Sequence, residues 1–558
     1  MGRSLFSGLD LLDAASKRLA EAQRDVPSEY MRFDLATYIP PKIATLPVRV
    51  AVVGGGFAGL AAATVLQNLQ VQVTLFEAQL HLGGRVSSLA VRPSSSSSSS
   101  STSGPPRILE AGAELIGRNH HAWVRLAKDL GLGLSVISTD DLYEGMALDP
   151  RLRIGGKDLS KAELEKLNKE MEKVLAKLVL LAETVFGLNI RPPSTKAFEP
   201  WYEPWRIPKI EKYDKQSLGS WINDRTSSNP RSKTRAALRY GFSNDMAIDV
   251  DRLSLLSMLT HIAGGGFGRY WDDTEVYRCE NGNQSLATTL GERLRVGCPP
   301  ADIRMQEVVT AIKSTAAEVV VTSRKDSPGA PSRDSKFNYL ILAVPPTVWR
   351  QIDLGNTWQL PQPIQSGPAI KYLAFNIDSR YWVEQGMAPS GDDDQLGQLW
   401  ESTDNQMGGA NIGLTIFAGG QYAAQVPRQG VDRYFQNGIE KLLPGARRHV
   451  KAGISVDWPS VPYIKTGYAA PGLGEVTGLQ RQMQQPFGSG DQIFLAGEHV
   501  SPPFFGFMEG ALQSGIKAAE RVARAARIQI PNPPKRSGPS TSGGKAPVRP
   551  SCGPASIA

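Results

Sequence analysis

Three glycines and an acid are the residues of this chain whose types and spacing point most clearly to chemistry. Gly54, Gly56 and Gly59 stand in G-x-G-x-x-G spacing. In such a turn the first glycine allows a tight bend, the second lets a pyrophosphate approach the backbone, and the third lets a helix pack closely on a strand. Glu77 follows about 20 residues later, where an acid can accept hydrogen bonds from a ribose diol. The group predicts a dinucleotide site; the alternative is a glycine turn that only packs.

Three elements must position these residues. The apolar residues 50–53 predict a buried parallel strand, residues 60–69 predict a helix, and residues 71–76 predict a second strand that ends beside Glu77. The start of that helix offers unpaired N–H groups and partial positive charge, and both favour a bound phosphate.

Similar patterns recur along the rest of the chain. Helical spacing of apolar residues predicts further helices at 157–186, 217–224, 232–240, 254–262 and 508–528. Apolar or alternating runs predict further strands at 318–322, 339–344, 372–377, 412–417 and 492–498. Because pieces typical of a dinucleotide-binding domain lie at both ends and in the middle, the domains must be discontinuous.

Composition limits the class of protein. The 558 residues are 41% hydrophobic and 21% charged, which is ordinary for a globular chain of about two or three domains. The net charge is +8, about half of it in the last segment, and the other basic residues are scattered, so we expect no nucleic-acid surface. No segment approaches the roughly 20 apolar residues of a membrane span. The three cysteines lack metal or redox spacing, which predicts no metal site and a reduced, cytoplasmic setting.

Three blocks resemble the flavin-dependent amine oxidase family, which includes monoamine oxidases, polyamine oxidases and L-amino-acid oxidases. The first is the glycine turn extended by Gly-Gly-Arg-Val at residues 83–86. The second is Phe-Leu-Ala-Gly-Glu-His at residues 494–499 with Gly-Phe-Met-Glu-Gly-Ala at residues 506–511. The third is Lys371, followed eleven residues later by Trp382. The resemblance covers about residues 47–527 and implies FAD as the cofactor.

The implied fold class is α/β, with a discontinuous Rossmann-like FAD-binding domain, a mixed-sheet substrate domain and a helical insertion. The FAD-binding domain is expected at 47–120, 280–350 and 485–530, a largely helical part of the substrate domain at 121–279, and its sheet at 351–484. The serine-rich insert 92–106 and the tail 531–558 are predicted to be disordered, because such compositions cannot bury enough apolar surface. Residues 1–46 are expected to form an amphipathic arm.

The resemblance also implies which residues contact the cofactor. Arg85 would approach its phosphates, Glu498 its ribityl or pyrophosphate region, and Val308 or Val309 its adenine end. The helix that opens near Met508 would point its positive end at the flavin, and residues 343–346 would lie on the phosphate side. The expected cofactor-binding residues are Gly54, Gly56, Ala58, Gly59, Glu77, Gly84, Arg85, Val309, Gly497, Glu498 and Met508.

Three residues are expected at the reacting end of the cofactor. Lys371 matches the family lysine that binds a water near flavin N5, whereas a lysine at the end of a strand could instead reach solvent. Tyr468 and Phe507 match two aromatic walls that orient the amine, whereas either ring could be plain core. Gly467 stands where some monoamine oxidases carry a cysteine joined to the flavin, so we expect noncovalent FAD.

The sequence leaves more than one substrate class open. Leu115 stands near the position at which many L-amino-acid oxidases carry an arginine that grips the substrate carboxylate. Arg118 lies three residues beyond and Arg269 lies in a glycine-rich loop; either could be a surface cation. The segments 111–117 and 277–284 are similar to those of microbial L-amino-acid oxidases. The resemblance therefore favours an L-amino-acid oxidase over a monoamine or polyamine oxidase, with an amino-acid 2-monooxygenase as a further alternative.

The expected chemistry is the same for the oxidases. The flavin takes a hydride from the α-carbon and passes the electrons to O2, which gives H2O2 and an imine that hydrolyses, from an amino acid, to a keto acid and ammonia. The expected partners are a small-molecule amine or amino acid and O2, with a homo-oligomer left open. The alternative from another class is a binding protein with a structural flavin, which would need neither Lys371 nor Tyr468.

Overall fold

The computed structural model describes residues 48–92, 106–137, 143, 146, 148–187, 200–229, 231–356, 358–406 and 411–530. The predicted arm, the predicted tail and residues 93–105 of the predicted insert lie outside these ranges.

Strands occur throughout the described ranges. They are β1 (Arg49–Val53), β2 (Gln72–Glu77), β3 (Ser88–Val91), β4 (Arg107–Glu110), β5 (Leu134–Val136), β6 (Asp149–Ile154), β7 (Lys157–Asp158), β8 (Tyr277–Cys279), β9 (Asp302–Met305), β10 (Glu307–Ser314), β11 (Val319–Lys325), β12 (Arg333–Phe337), β13 (Tyr339–Leu342), β14 (Ser366–Gly367), β15 (Ala369–Ile377), β16 (Met387–Asp393), β17 (Gly397–Glu401), β18 (Ile412–Gly419), β19 (Ala452–Asp457), β20 (Tyr468–Ala469) and β21 (Ile493–Leu495).

The α-helices differ widely in length. They are α1 (Phe57–Asn68), α2 (His121–Leu130), α3 (Lys161–Phe186), α4 (Glu211–Asp214), α5 (Leu218–Arg225), α6 (Lys233–Asp245), α7 (Leu255–Gly264), α8 (Tyr270–Asp273), α9 (Gln284–Val296), α10 (Tyr381–Glu384), α11 (Gln421–Gln425), α12 (Val431–Leu442), α13 (Ala446–His449), α14 (Arg481–Met483) and α15 (Met508–Ala525). None of the helices in the described ranges is both long and apolar enough to cross a membrane.

A five-stranded parallel sheet carries the glycine turn. Its strand order is β21-β13-β1-β2-β9. β1 lies at its centre, and Val50, Ala51 and Val52 are fully buried, since helices cover one face and the sheet β10-β11-β12 lies with the core on the other. This explains the continuous apolar run in the sequence. The strands come from residues 49–77, 302–305, 339–342 and 493–495, so the α/β unit is discontinuous, as predicted.

The glycine turn has the tight geometry that its spacing predicts. Gly54 has a φ of +108°, and a Cβ there would lie 2.6 Å from the Ala343 carbonyl oxygen. A Cβ on Gly59 would lie 1.9 Å from the Gly54 carbonyl oxygen, so only glycine lets α1 pack this closely on the turn. The predicted helix start at residue 60 was three residues late, because α1 begins directly after Gly56 at Phe57.

A seven-stranded mixed sheet faces the cavity from the other side. Its order is β19-β15-β18-β17-β16-β6-β7, antiparallel except for the β16–β6 pair. Lys371 lies in β15, between Phe417 of β18 and Val456 of β19. The lysine therefore stands on an inner strand, held in register from both sides.

The helical part packs around one apolar core. The predicted helix 157–186 in fact begins at Lys161, because residues 157–158 pair as β7 and Ser160 caps the helix. Ser160 and Glu163 form a reciprocal capping box, which stabilises this start. The helix buries Leu167, Met171 and other apolar residues at helical spacing.

Candidate active site

A cavity of about 440 Å³ lies between the two large sheets. It begins at the carboxyl ends of β1, β2 and β13, where ligands bind in open α/β sheets, and extends to β15. Val53, Glu77 and Ala343 line its first end, and Ala369 and Lys371 line its far end.

Glu77 secures the first end of the cavity. One carboxylate oxygen accepts the Gly55 N–H at 2.6 Å, and the other accepts the Gln79 N–H at 2.8 Å. Burial raises the pKa of Glu77, although these N–H bonds oppose the rise. Each oxygen keeps a lone pair, which leaves acceptors for a sugar hydroxyl.

The backbone around Gly56 forms a cradle without side chains. A Cβ on Gly56 would meet only the Gly83 carbonyl oxygen, at 3.9 Å, and one on Gly84 would meet only the Gly56 Cα, at 3.4 Å. Both glycines line the cavity. The α1 N-terminus at Gly56 has no side-chain cap, so its N–H groups are open to a ligand. This cradle fits an anionic group such as a pyrophosphate.

An ion pair joins two distant segments at the middle of the cavity. Arg85 Nη1 donates to Glu498 Oε1 at 2.7 Å and to the Gly467 carbonyl oxygen at 2.9 Å. The Gly506 N–H donates to Glu498 Oε2 at 2.7 Å. Burial opposes ionisation of Glu498, but Arg85 and this N–H outweigh it, so its pKa lies below the ordinary value.

The N-terminus of α15 also opens into the cavity. Phe507 precedes the helix without a side-chain cap, and Phe507 and Met508 both line the cavity. The Met508 sulfur accepts the Trp123 indole N–H at 3.3 Å, which holds this end of the helix against α2. The partial positive charge of the helix is therefore directed at the cavity.

Lys371 is buried at the far end and does not reach solvent. Its side chain is 5% exposed, and Nζ donates to Glu114 Oε2 at 2.7 Å and to the Glu110 carbonyl oxygen at 3.1 Å. The alternative of a lysine that reaches solvent from a strand end is therefore wrong. Lys371 also lines the cavity.

Glu114 is the centre of a buried polar network that the sequence did not reveal. Its other oxygen accepts the Trp400 indole N–H at 2.9 Å and the Arg278 guanidinium at 2.8 Å, and Arg278 also pairs with Asp404. Burial opposes its ionisation, but Lys371 and Arg278 outweigh this effect and lower the pKa of Glu114 to about 2. Glu114 is therefore a carboxylate held among cations.

Aromatic side chains line the same cavity as Lys371. Tyr468 and Phe507 both line the cavity, together with Phe417, which the sequence did not single out. The Tyr468 hydroxyl donates to the Asp245 carbonyl oxygen at 2.6 Å, which fixes the plane of the ring. Burial raises the pKa of Tyr468 well above its ordinary value, so the phenol stays neutral.

The family described as flavin containing amine oxidoreductase matches residues 57–523. The chain belongs to this family. An L-amino acid dehydrogenase of Synechocystis sp. (strain ATCC 27184 / PCC 6803 / Kazusa) is 23% identical over 84% of this chain and 94% of that protein. Amine oxidase [flavin-containing] A of Sus scrofa is 22% identical over 86% of this chain and 85% of its own.

A solved structure has the same fold. Cyclohexylamine oxidase from Brevibacterium oxydans IH-35A superposes with a TM-score of 0.68 at 19% identity and covers 86% of this chain and 100% of its own. The fold is thus that of the flavin amine oxidoreductases, as the sequence predicted.

The cofactor of this flavin amine oxidoreductase is FAD, bound noncovalently, and the cavity fits it. The side-chain-free cradle at Gly56 and the open N–H groups of α1 suit the pyrophosphate, and Glu77 suits the ribose. Gly467 lines the cavity and has no side-chain sulfur to which a flavin could be joined. The second uncapped helix, at Met508, adds positive potential farther along.

The structure brings nearly all of the predicted site residues to this one cavity, and their individual roles stay predictions. Gly59 does not line the cavity and lies where α1 packs on the glycine turn. The predicted residues that line the cavity are Gly54, Gly56, Ala58, Glu77, Gly84, Arg85, Val309, Lys371, Tyr468, Gly497, Glu498, Phe507 and Met508.

The two arginines considered for a substrate carboxylate lie elsewhere. Arg269 makes two hydrogen bonds to Asp273, at 2.7 and 2.9 Å, and Arg118 reaches the same carboxylate at 3.4 Å. Neither arginine lines the cavity, nor does the buried Leu115. The geometry therefore gives no support to Arg269 as a carboxylate partner.

Proposed function

We propose that this flavoenzyme oxidises a primary amine that carries no carboxylate and passes the electrons to O2. The proposal rests on the lining of the cavity, which includes the buried Lys371, its strand neighbour Phe417, and the rings of Tyr468 and Phe507. Such a pocket suits an uncharged amine with an apolar body.

Bound FAD would supply the redox chemistry, a two-electron oxidation at the α-carbon whose electrons pass to O2 and give H2O2. The protein orients the substrate: the aromatic walls hold the amine, and the hydrogen bond from Tyr468 to Asp245 keeps one wall rigid. The amine loses a hydride and a proton and becomes an imine, which water hydrolyses after release. No side chain need act as a strong base.

The charges around the pocket favour an amine over an amino acid. Among the described residues that line the cavity, the arginines are Arg85 and Arg324. Arg85 is engaged by Glu498, and Lys371 is engaged by Glu114. A substrate carboxylate beside Lys371 or Arg85 would therefore be buried next to a cation that already has an acidic partner, which is costly.

An L-amino-acid oxidase remains the second candidate. It is favoured by the similarity to the Synechocystis L-amino acid dehydrogenase over most of both chains. Its products would be a keto acid, ammonia and H2O2, whereas a 2-monooxygenase would release an amide.

Matched pairs of substrates test the proposal, because each pair differs only in the carboxylate. We suggest 2-phenylethylamine with L-phenylalanine, 3-methylbutylamine with L-leucine, and 1,4-diaminobutane with L-ornithine. We expect kcat/KM to be at least about a hundredfold higher for the amine, since an unpaired buried carboxylate costs several kcal/mol. A preference for the amino acids, with a keto acid as product, would establish the second candidate instead.

A further inference from the structure

The carboxylate of Glu114 joins the polar groups that lie behind the cavity wall. Its side chain is fully buried. One oxygen accepts from Lys371, and the other accepts from Trp400 and Arg278. Three donors from three different strands therefore converge on a single carboxylate.

These contacts direct one N–H bond of the Lys371 ammonium toward the cavity. An ammonium has three donor hydrogens. Glu114 takes one and the Glu110 carbonyl oxygen takes another, both on the buried side. The Trp400 ring lies 5.5 Å from Nζ and closes a further side. The third hydrogen is left for the cavity, which Lys371 lines.

Arg278 does not need Glu114 as its counterion. Arg278 also pairs with Asp404 and donates to the Glu401 carbonyl oxygen at 3.1 Å, so it has polar partners without Glu114. Among the residues that the structure describes, Lys371 forms an ion pair with no acid other than Glu114. The Glu110 carboxylate is turned toward the Asn283 N–H and the Ser88 hydroxyl, and only its backbone oxygen meets the lysine.

We propose that Glu114 is a positioning residue that holds the Lys371 ammonium with one N–H directed at the flavin. Arg278 and Trp400 hold the carboxylate from behind. The inference rests on the proposed function, because the orientation of Lys371 by Glu114 matters only if Lys371 acts on a bound flavin.

A double-mutant cycle on the FAD-loaded protein tests this role, with sulfite as the probe. Sulfite adds reversibly to N5 of an oxidised flavin, and a nearby cation strengthens the adduct. The four proteins are the wild type, K371M, E114Q and the double variant E114Q/K371M. In the presence of Glu114, we expect K371M to raise the sulfite Kd about tenfold or more. In the E114Q background, the same change should raise it less than about threefold.

The comparison isolates positioning from the direct charge of Glu114, because that charge is absent from both E114Q proteins. E114D, which keeps the charge, should restore part of the Lys371 effect. An equal effect of K371M in both backgrounds would overturn the inference, as would no effect of K371M in the presence of Glu114. If E114Q does not retain FAD, the E114D background replaces it: an intermediate Lys371 effect supports the inference, and an undiminished one overturns it.

Measurement of the sulfite Kd needs bound flavin but no turnover of an amine. A chain that fails to oxidise amines yet shows the coupling would refute the proposed function and keep the positioning role. A chain that oxidises amines without the coupling would support the proposed function and refute the positioning role.

Discussion

A methyl group added at Gly56 should block the cofactor while it spares the fold. Gly56 has φ −75° and ψ 179°, a conformation that alanine adopts freely. The new Cβ would point into the cavity, with its nearest neighbour 3.9 Å away. Loss of glycine as an N-cap costs about 0.5–1 kcal/mol. The lower conformational entropy of the unfolded alanine variant offsets this by about 0.4–1 kcal/mol. The free energy of unfolding of the apoprotein should therefore change by less than about 1 kcal/mol.

The effect of G56A on FAD should be much larger. The methyl group occupies the place where a phosphate would meet the N–H groups of α1. Loss of at least one hydrogen bond to a charged group costs about 1.5–3 kcal/mol. This corresponds to an FAD Kd that is about 10 to 150 times higher. Quenching of flavin fluorescence on titration of the apoprotein measures it.

Two other glycines serve as controls. A Cβ on Gly478 would meet nothing within 4 Å, and Gly478 does not line the cavity, so G478A should leave the FAD Kd unchanged. Gly54 has φ +108°, and its Cβ would clash with the Ala343 carbonyl, so G54A should destabilise the apoprotein by at least about 1–3 kcal/mol. A G56A protein that binds FAD within threefold of the wild type would refute the placement of the pyrophosphate.

Two further predictions follow from the charged groups. Because the pKa of Glu114 is lowered from 4.5 to about 2, its ionisation stabilises the fold above pH 4.5, and this stabilisation is lost as the pH falls from about 4.5 to about 2. Urea unfolding should show that E114Q/K371M loses less stability than the wild type across that range; equal losses would contradict the role of Glu114. Because Arg269 is held by Asp273 outside the cavity, R269Q should change the KM for amine or amino acid less than about twofold. A tenfold rise for the amino acid alone would show that Arg269 does reach the carboxylate.

The cofactor end could be predicted from sequence because its demands are local. The turn needs glycine at two positions for reasons visible within a few residues: Gly54 has a positive φ, and a Cβ on Gly59 would lie 1.9 Å from the Gly54 carbonyl oxygen. The strand 50–53 is apolar throughout because both of its faces are buried. The boundaries of elements depend on other features: the start of α3 is set by Ser160 and by the hairpin β6–β7, which periodicity does not register.

The network around Lys371 could not be predicted because its members are far apart in the chain. Glu114 lies 257 residues from Lys371 and 286 from Trp400. The segment around Glu114 resembles those of microbial L-amino-acid oxidases and has Leu115 near the place of the family arginine, but the acid beside it carries no signal of its own in the sequence. The resemblance identified Lys371 as a candidate, but only the fold shows which carboxylate holds it.

Anaerobic mixing of the FAD-loaded protein with 2-phenylethylamine, 3-methylbutylamine or 1,4-diaminobutane tests the central claim most directly. We expect at least one of these amines to bleach the flavin absorbance in the absence of O2. Readmission of O2 should then restore the absorbance with one H2O2 formed for each flavin. An oxidised spectrum that none of these amines can bleach would contradict the proposed function, whether or not the matched L-amino acids bleach it.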